Sequence, residues 1–262
     1  MSFQEQWIAF LTILRKEIKR FTRIWIQTLL PPAITMILYF VIFGKLIGSR
    51  IGDMAGFSYI DFVAPGLIMM AVITNAYANV SSSFFSAKFQ RSIEELLVSP
   101  TPNYIILLGY VMGGVARGMA VGLIVTLMSL FFTTLSIHHW GATFFIVFMT
   151  SVLFSLAGFI NAIYANTFDD VSIIPTFVLT PLTYFGGVFY SIHLLPEFWQ
   201  KVSMFNPILH MVNGFRYGVL GVSDVHLSTA LIGLTAFVVV LFAIAMHLLA
   251  TPLVPPSRGS AR

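Results

Sequence analysis

The chain contains no cysteine, which excludes disulfides and thiolate metal sites. Charge is nearly as scarce: Asp, Glu, Lys and Arg make up 9% of the 262 residues while 58% are hydrophobic, against about 25% charged in a soluble domain. No G-x-x-x-x-G-K-[ST] phosphate loop occurs, since Gly44-Lys45 is followed by Leu46 and has no glycine five residues before it. ATP hydrolysis by that route is excluded. Neither H-x-x-x-H nor H-E-x-x-H occurs, and the adjacent pair His138-His139 points its rings apart, which suits a membrane interface better than a metal. Asp169-Asp170 follows an Asn-Thr-Phe turn and reads as a solvated helix cap rather than an acid–base pair. No catalytic residue, metal site or chain-bound cofactor is therefore assigned. The net charge of +4 is small and its cations cluster at segment ends, which points to membrane topology and lipid contact rather than nucleic acid.

What is present is a series of apolar runs, each long enough to cross a hydrocarbon core of about 30 Å at about 1.5 Å per residue. They predict an all-α polytopic membrane protein with spans over 24–47, 59–80, 104–135, 140–162, 171–190 and 227–250 as one domain, 24–252, and a tail over 253–262. Pro31-Pro32 should kink the first span, and Pro175 and Pro181 lie inside the fifth. The third run is over-long, about 48 Å as a straight helix, so its first turns must tilt, bend or leave the core.

Residues 1–23 precede these spans. Trp7, Leu11, Leu14, Ile18, Phe21 and Trp25 form one apolar stripe, and Arg15, Lys16, Lys19, Arg20 and Arg23 lie off it. This predicts an amphipathic helix in the headgroup plane rather than a signal peptide. With an even number of spans both termini share a side. Placing them in the cytoplasm assigns it Arg15, Lys16, Lys19, Arg20, Arg23, Lys88, Arg91, Arg258 and Arg262, against Lys45, Arg50, Lys201 and Arg216 outside.

Ser191 to His226 is then external, yet it is too apolar for a solvated loop and Asn206-Pro207 breaks it. The expectation is a re-entrant pair of short helices packed on protein. Arg117 is the one cation inside an apolar run. It is either a path or gate residue or a side chain snorkelling to the interface.

The largest polar island is Phe84 to Pro102. Ser92 stands three residues before Glu95, the capping-box spacing, which predicts a helix from Ile93 with Glu94 and Glu95 in its first turn and a stop at Ser99-Pro100. So short a helix needs a partner to hold it, and Ile93, Leu96 and Leu97 offer an apolar surface.

The order of amphipathic helix, two spans, cytosolic short helix, four spans and an apolar broken segment before the last resembles the permease subunits of type-2 ATP-binding cassette exporters, over about residues 3–250. Leu195-Pro196 and N-P-I-L-H-M-V-N-G-F-R, containing Asn206, Pro207, His210 and Arg216, look like that family's signature. Glu94 to Pro102 is similar to its coupling helix and exit. The resemblance implies a homodimeric permease in a bacterial inner membrane, bound to two copies of a separate ATPase that holds ATP and Mg. It further implies that Gln90, Arg91, Ser92, Ile93, Glu94, Glu95, Leu96, Leu97, Ser99 and Pro100 couple to that ATPase, and that the cargo is lipophilic, lipid-linked or a glycan. An ion-coupled secondary transporter is the alternative, predicting midplane ionisable residues and inverted repeats; a structural membrane scaffold is a second.

Overall fold

A computed structural model describes residues 1–250. The expected tail at 253–262, with Arg258 and Arg262, lies outside the described residues.

Helix α1 (Phe3–Arg23) starts at a capping box in which the Glu5 N–H donates to the Ser2 hydroxyl and the Ser2 N–H donates to the Glu5 carboxylate at 2.7 Å. The first span is a broken rod: α2 (Trp25–Thr28), α3 (Leu30–Val41), a π-helical stretch Ile42–Ile47 and α4 (Gly48–Ile51). A small antiparallel hairpin, β1 (Asp53–Met54) and β2 (Phe57–Ser58), turns through Ala55 and Gly56, both at positive φ.

Then come α5 (Tyr59–Phe89), α6 (Ser92–Val98), α7 (Asn103–Ser129) and α8 (Trp140–Tyr164). The next helical stretch comprises α9 (Phe168–Ile174), a π-helical Pro175–Leu179 and α10 (Thr180–Tyr184). Last are α11 (Glu197–Met204), α12 (Pro207–Leu220) and α13 (Leu227–Ala250).

Among the described residues five segments are long and apolar enough to cross a membrane: Trp25–Gly44, α5, α7, α8 and α13. The expected fifth span, 171–190, differs. Its helix runs only from Phe168 to Tyr184 with a π-helical centre at Pro175, and the chain then reverses at Gly187, whose φ of +68° suits glycine. The second span extends to Phe89, beyond the expected 80, because the Ser82 hydroxyl satisfies itself on the Ala78 carbonyl at 2.7 Å and Ser83 finds a partner on α1. The third stops at Ser129 rather than 135. Beyond it Thr134 donates its N–H to Asp61, and His138 and His139 donate theirs to the Val219 and Gly218 carbonyls at the end of α12.

Helix α5 is the hub: 78% of its most apolar window is buried, against 17% for the first and last spans, which wrap the outside. Glycines let the helices meet. On α7, Gly109 and Gly113 face Ile13 and Glu17 of α1, whereas Gly114 and Gly118 face Ala76 of α5 and Ser155 and Ser151 of α8. A Cβ at Gly113 would sit 2.5 Å from the Glu17 Cβ, so the small-residue face permits an approach no other residue allows.

Candidate functional site

The polar island folds as a helix, but its cap differs from the expected Ser92–Glu95 box. The chain leaves α5 through Arg91 in the left-handed region at φ +59°, α6 begins at Ser92, and no side chain caps it. The Ser92 hydroxyl instead donates to the Ala87 carbonyl at 3.2 Å. The box fails because the sharp turn at Arg91 leaves Ser92 inside the helix. At the other end the Ser99 hydroxyl donates to the Leu96 carbonyl at 2.6 Å, before Pro100 ends the helix.

The apolar partner of α6 is the chain itself. Ile93 is buried in the apolar cluster that also holds Phe84, Phe85, Tyr110 and Phe159, and Leu96 and Leu97 are half-buried against the same cluster. What α6 presents outward is therefore Gln90, Arg91, Ser92, Glu94, Glu95 and Val98, the last 85% exposed.

The second loop at this end joins the same surface. The Lys88 ammonium donates to the Ala165 carbonyl at 2.8 Å and to that of Ile163, closing the C-terminal end of α8. Phe168 packs edge-on to Phe85 at 4.9 Å between centroids and meets Phe89 at 5.2 Å. Here the capping box is Thr167 with Asp170, whose carboxylate accepts the N–H groups of Asn166 at 2.8 Å and Thr167 at 3.0 Å. Those N–H groups, Asn166 first, hold the Asp170 carboxyl below its ordinary range. Asp169-Asp170 thus serves a helix start.

Behind this face lies a buried polar layer that reading the sequence missed. Glu17 of α1 is fully buried; Ser83 donates to it at 2.6 Å, and the Arg20 guanidinium stands 3.4 Å away. Arg20 in turn donates to the Asn79 side chain at 2.9 Å and to the Asn79 carbonyl at 2.8 Å. The inward face of α1 is accordingly Ile13, Glu17 and Phe21, while Trp7 of the expected stripe is 54% exposed. Its contacts with α7 advance in step, with Tyr104 donating to Gln6 at 2.7 Å, Gly109 against Ile13 and Gly113 against Glu17. Hence α1 runs alongside the first half of α7, held by protein as well as by any headgroups. The available signal was an acidic residue, Glu17, in the middle of the basic stretch of α1, facing a Gly-x-x-x-Gly spacing at Gly109 and Gly113.

Arg117 does not snorkel outward. It donates to the Asn75 side chain at 3.0 Å and to the Thr28 carbonyl at 3.4 Å. Four residues after Thr28 stands Pro32, which has no N–H to give that carbonyl. Arg117 fills the place of the missing donor and fixes the break between α2 and α3 to α5 and α7.

The signature residues sit at the opposite end and are structural knots. Arg216, fully buried, donates to the carbonyls of Phe62 at 3.2 Å and Gly187 at 2.7 Å and to the Asn213 side chain at 3.2 Å, and stacks 3.9 Å over the Phe62 ring. Asn206 caps α12 through the Ile208 N–H and donates to the Leu182 carbonyl at 2.6 Å, with Pro207 in the first turn. The His210 ring meets the Met204 carbonyl at 2.8 Å. Leu195 ends a 3-10 turn and Pro196 opens α11. None of these reaches α6.

Between α3 and the α9–α10 stretch lies an open groove of about 330 Å³, lined by Tyr39, Thr74, Thr176, Thr180, Thr183 and Tyr184 among others. Six hydroxyl-bearing side chains line it, four threonines and two tyrosines.

Residues 8–220 match the family described as ABC-2 type transporter, a stretch running from α1 to the end of α12. Over 253 residues, 97% of each chain, the sequence is 60% identical to Inner membrane transport permease YadH of Escherichia coli K12. It is 22% identical over 253 residues to Nodulation protein J of Rhizobium meliloti strain 1021, covering 95% of this chain and 94% of that one. Nodulation protein J of Rhizobium leguminosarum bv. viciae is 24% identical over 217 residues, covering 81% and 83% respectively. These matches do not favour an ion-coupled secondary transporter. An all-α polytopic architecture, a family match that takes in α6 and the Asn206–Arg216 knot, and a relative this similar place the chain in the ABC-2 type transporter family, as a transport permease.

Proposed function

We propose that this permease is the membrane half of an exporter, docking two copies of a separate ATPase through α6 and paired with a second copy of itself. The observation that carries the reading is the form of α6. A two-residue turn, Gln90 and the left-handed Arg91, joins it to α5, Ile93 anchors it, and Glu94 and Glu95 project outward from its first turn. A short helix fixed in this way transmits a push from a soluble partner into α5, the hub of the bundle, without binding nucleotide. ATP and Mg belong to the ATPase. With the α9–α10 stretch taken as a sixth crossing, the positive-inside count supports a cytoplasmic α6 and cytoplasmic termini, and the similarity to an inner membrane transport permease of Escherichia coli supports the same membrane for this chain.

Gln90, Arg91, Glu94 and Glu95 contact the ATPase in this reading, Ile93, Leu96 and Leu97 hold the helix from behind, and Ser99-Pro100 set its exit into α7. The groove between the first span and α9–α10 becomes the path when two copies face each other across it. Its mix of hydroxyls and aromatic rings suits a lipophilic, lipid-linked or glycan cargo. Arg117 positions the break in the first span at the edge of that path rather than meeting the cargo.

The test is reconstitution. The permease purified alone is expected to hydrolyse no ATP, and the complex with its ATPase to hydrolyse ATP and move cargo outward. Hydrolysis by the isolated permease contradicts the reading.

A further inference from the structure

At the end of the bundle away from α6, helices α7 and α8 part. They touch where Gly114 and Gly118 meet Ser155 and Ser151, but a Cβ at Gly122 would meet only Val72 of α5. The start of α8 instead packs on α12, with Gly218 against Thr143 and Gly214 against Ile146. A crevice of about 530 Å³ opens between them, within the range of small-molecule sites.

Its walls include Leu123 and Thr126 of α7, Leu130 just past its end, and Thr143 and Phe144 of α8, and its floor is Phe215 and Val219 of α12. No charged side chain lines it. Both wall hydroxyls are already used: Thr126 donates to the Gly122 carbonyl at 2.8 Å and Thr143 to the His139 carbonyl at 2.9 Å. The remaining side-chain donor of the lining is the Trp140 indole N–H at the mouth, whereas water needs two to four polar partners to be held. A polar ligand would fare no better.

The mouth is continuous with the outward surface of two membrane-crossing helices. Leu123 is 62% exposed, Phe144 62% and Trp140 72%, while the floor residues Phe215 and Val219 are at 3% and 4%. The medium at the mouth is thus hydrocarbon with an aromatic ring at its edge, the arrangement that anchors chains near a headgroup boundary.

We propose that this crevice holds one acyl chain of a bilayer phospholipid, wedged between α7 and α8 with its methylenes on Phe215 and Val219. The occupant would fill the gap left by the glycine-driven splay of α7 from α8 and brace α12, whose Arg216 knots the external pair to α5.

The test is photolabelling of the full chain in phospholipid vesicles that carry a diazirine in the phosphatidylcholine acyl chain, with adducts mapped by mass spectrometry. The expected result is labelling of Phe215 and Val219, floor positions that bulk lipid does not reach, as well as of Ile232 on the outer surface of α13. Thr126→Trp, which fills the crevice, is expected to abolish floor labelling and leave Ile232 labelled; the milder Thr126→Leu serves if tryptophan prevents insertion. Labelling confined to outward residues, or floor labelling unchanged by a filled and folded crevice, overturns the proposal.

Discussion

The Ser83 hydroxyl donates to the Glu17 carboxylate at 2.6 Å across the junction of α1 and α5, with both groups closed off from solvent. Burying a carboxylate is costly unless partners offset it, and here the partners are Ser83 on α5 and Arg20 one turn on along α1. The amphipathic helix α1 is thereby tied to α5, the rod that leads into α6, and a push on either reaches both.

Replacing Glu17 with leucine is expected to leave Ser83 unpaired and Arg20 without its carboxylate, at a cost of about 1–3 kcal/mol. At about 2–4 °C per kcal/mol for a chain of this size, the melting temperature in detergent should fall by several degrees. Glu17→Gln, which retains an acceptor for Ser83, should fall less. A Leu variant that melts like the wild type removes this layer from the account.

Arg117 and Pro32 form the second test. Arg117→Ala should cost about 1–3 kcal/mol by orphaning the Thr28 carbonyl and the Asn75 amide. Pro32→Ala restores an N–H four residues after Thr28, so the double variant should be more stable than the two single effects added, by about 0.5–3 kcal/mol. Thermal melts of the four proteins measure the coupling. Transport that stays absent in a double variant of restored stability would instead place Arg117 on the cargo path.

Glycine substitutions separate close approach from mere membrane insertion. Gly113→Leu pushes a side chain into Glu17, 2.5 Å from where the Cβ would stand, whereas Gly233 has open space around it. The first is expected to destabilise by about 1–3 kcal/mol, and Gly233→Leu to change stability by no more than about 0.5 kcal/mol. Equal melting of the two variants would mean that α1 does not depend on this contact.

Most of the architecture was legible because hydrocarbon leaves few choices for an apolar run, so α3, α5, α7, α8 and α13 lie where length and composition put them. The break at Asn206-Pro207 was legible for the same reason that prolines stop helices. The misses share another cause. The inward face of α1 could not be read from its apolar stripe, because a carboxylate is buried wherever a glycine on the neighbour makes room and a hydroxyl waits behind it. The Ser92 cap failed because the conformation of Arg91, which decides the register of α6, is set by the packing of Ile93. The reversal at Gly187 was hidden in the same way, since the guanidinium that donates to its carbonyl, that of Arg216, stands on α12, far along the chain.

If α6 docks the ATPase, its two outward carboxylates give the sharpest handle on that contact. Changing Glu94 and Glu95 to lysine reverses the sign of the exposed first turn and alters helix-dipole terms worth only about 0.3–1 kcal/mol each, while Ile93 keeps α6 seated. The bundle should therefore insert and fold as before. The measurement is the amount of ATPase that co-purifies with the double variant at matched expression of the permease. Docking through α6 means that the ATPase is lost while the permease itself remains monodisperse; full retention of the ATPase would rule α6 out and shift docking to the neighbouring Asn166–Asp170 loop.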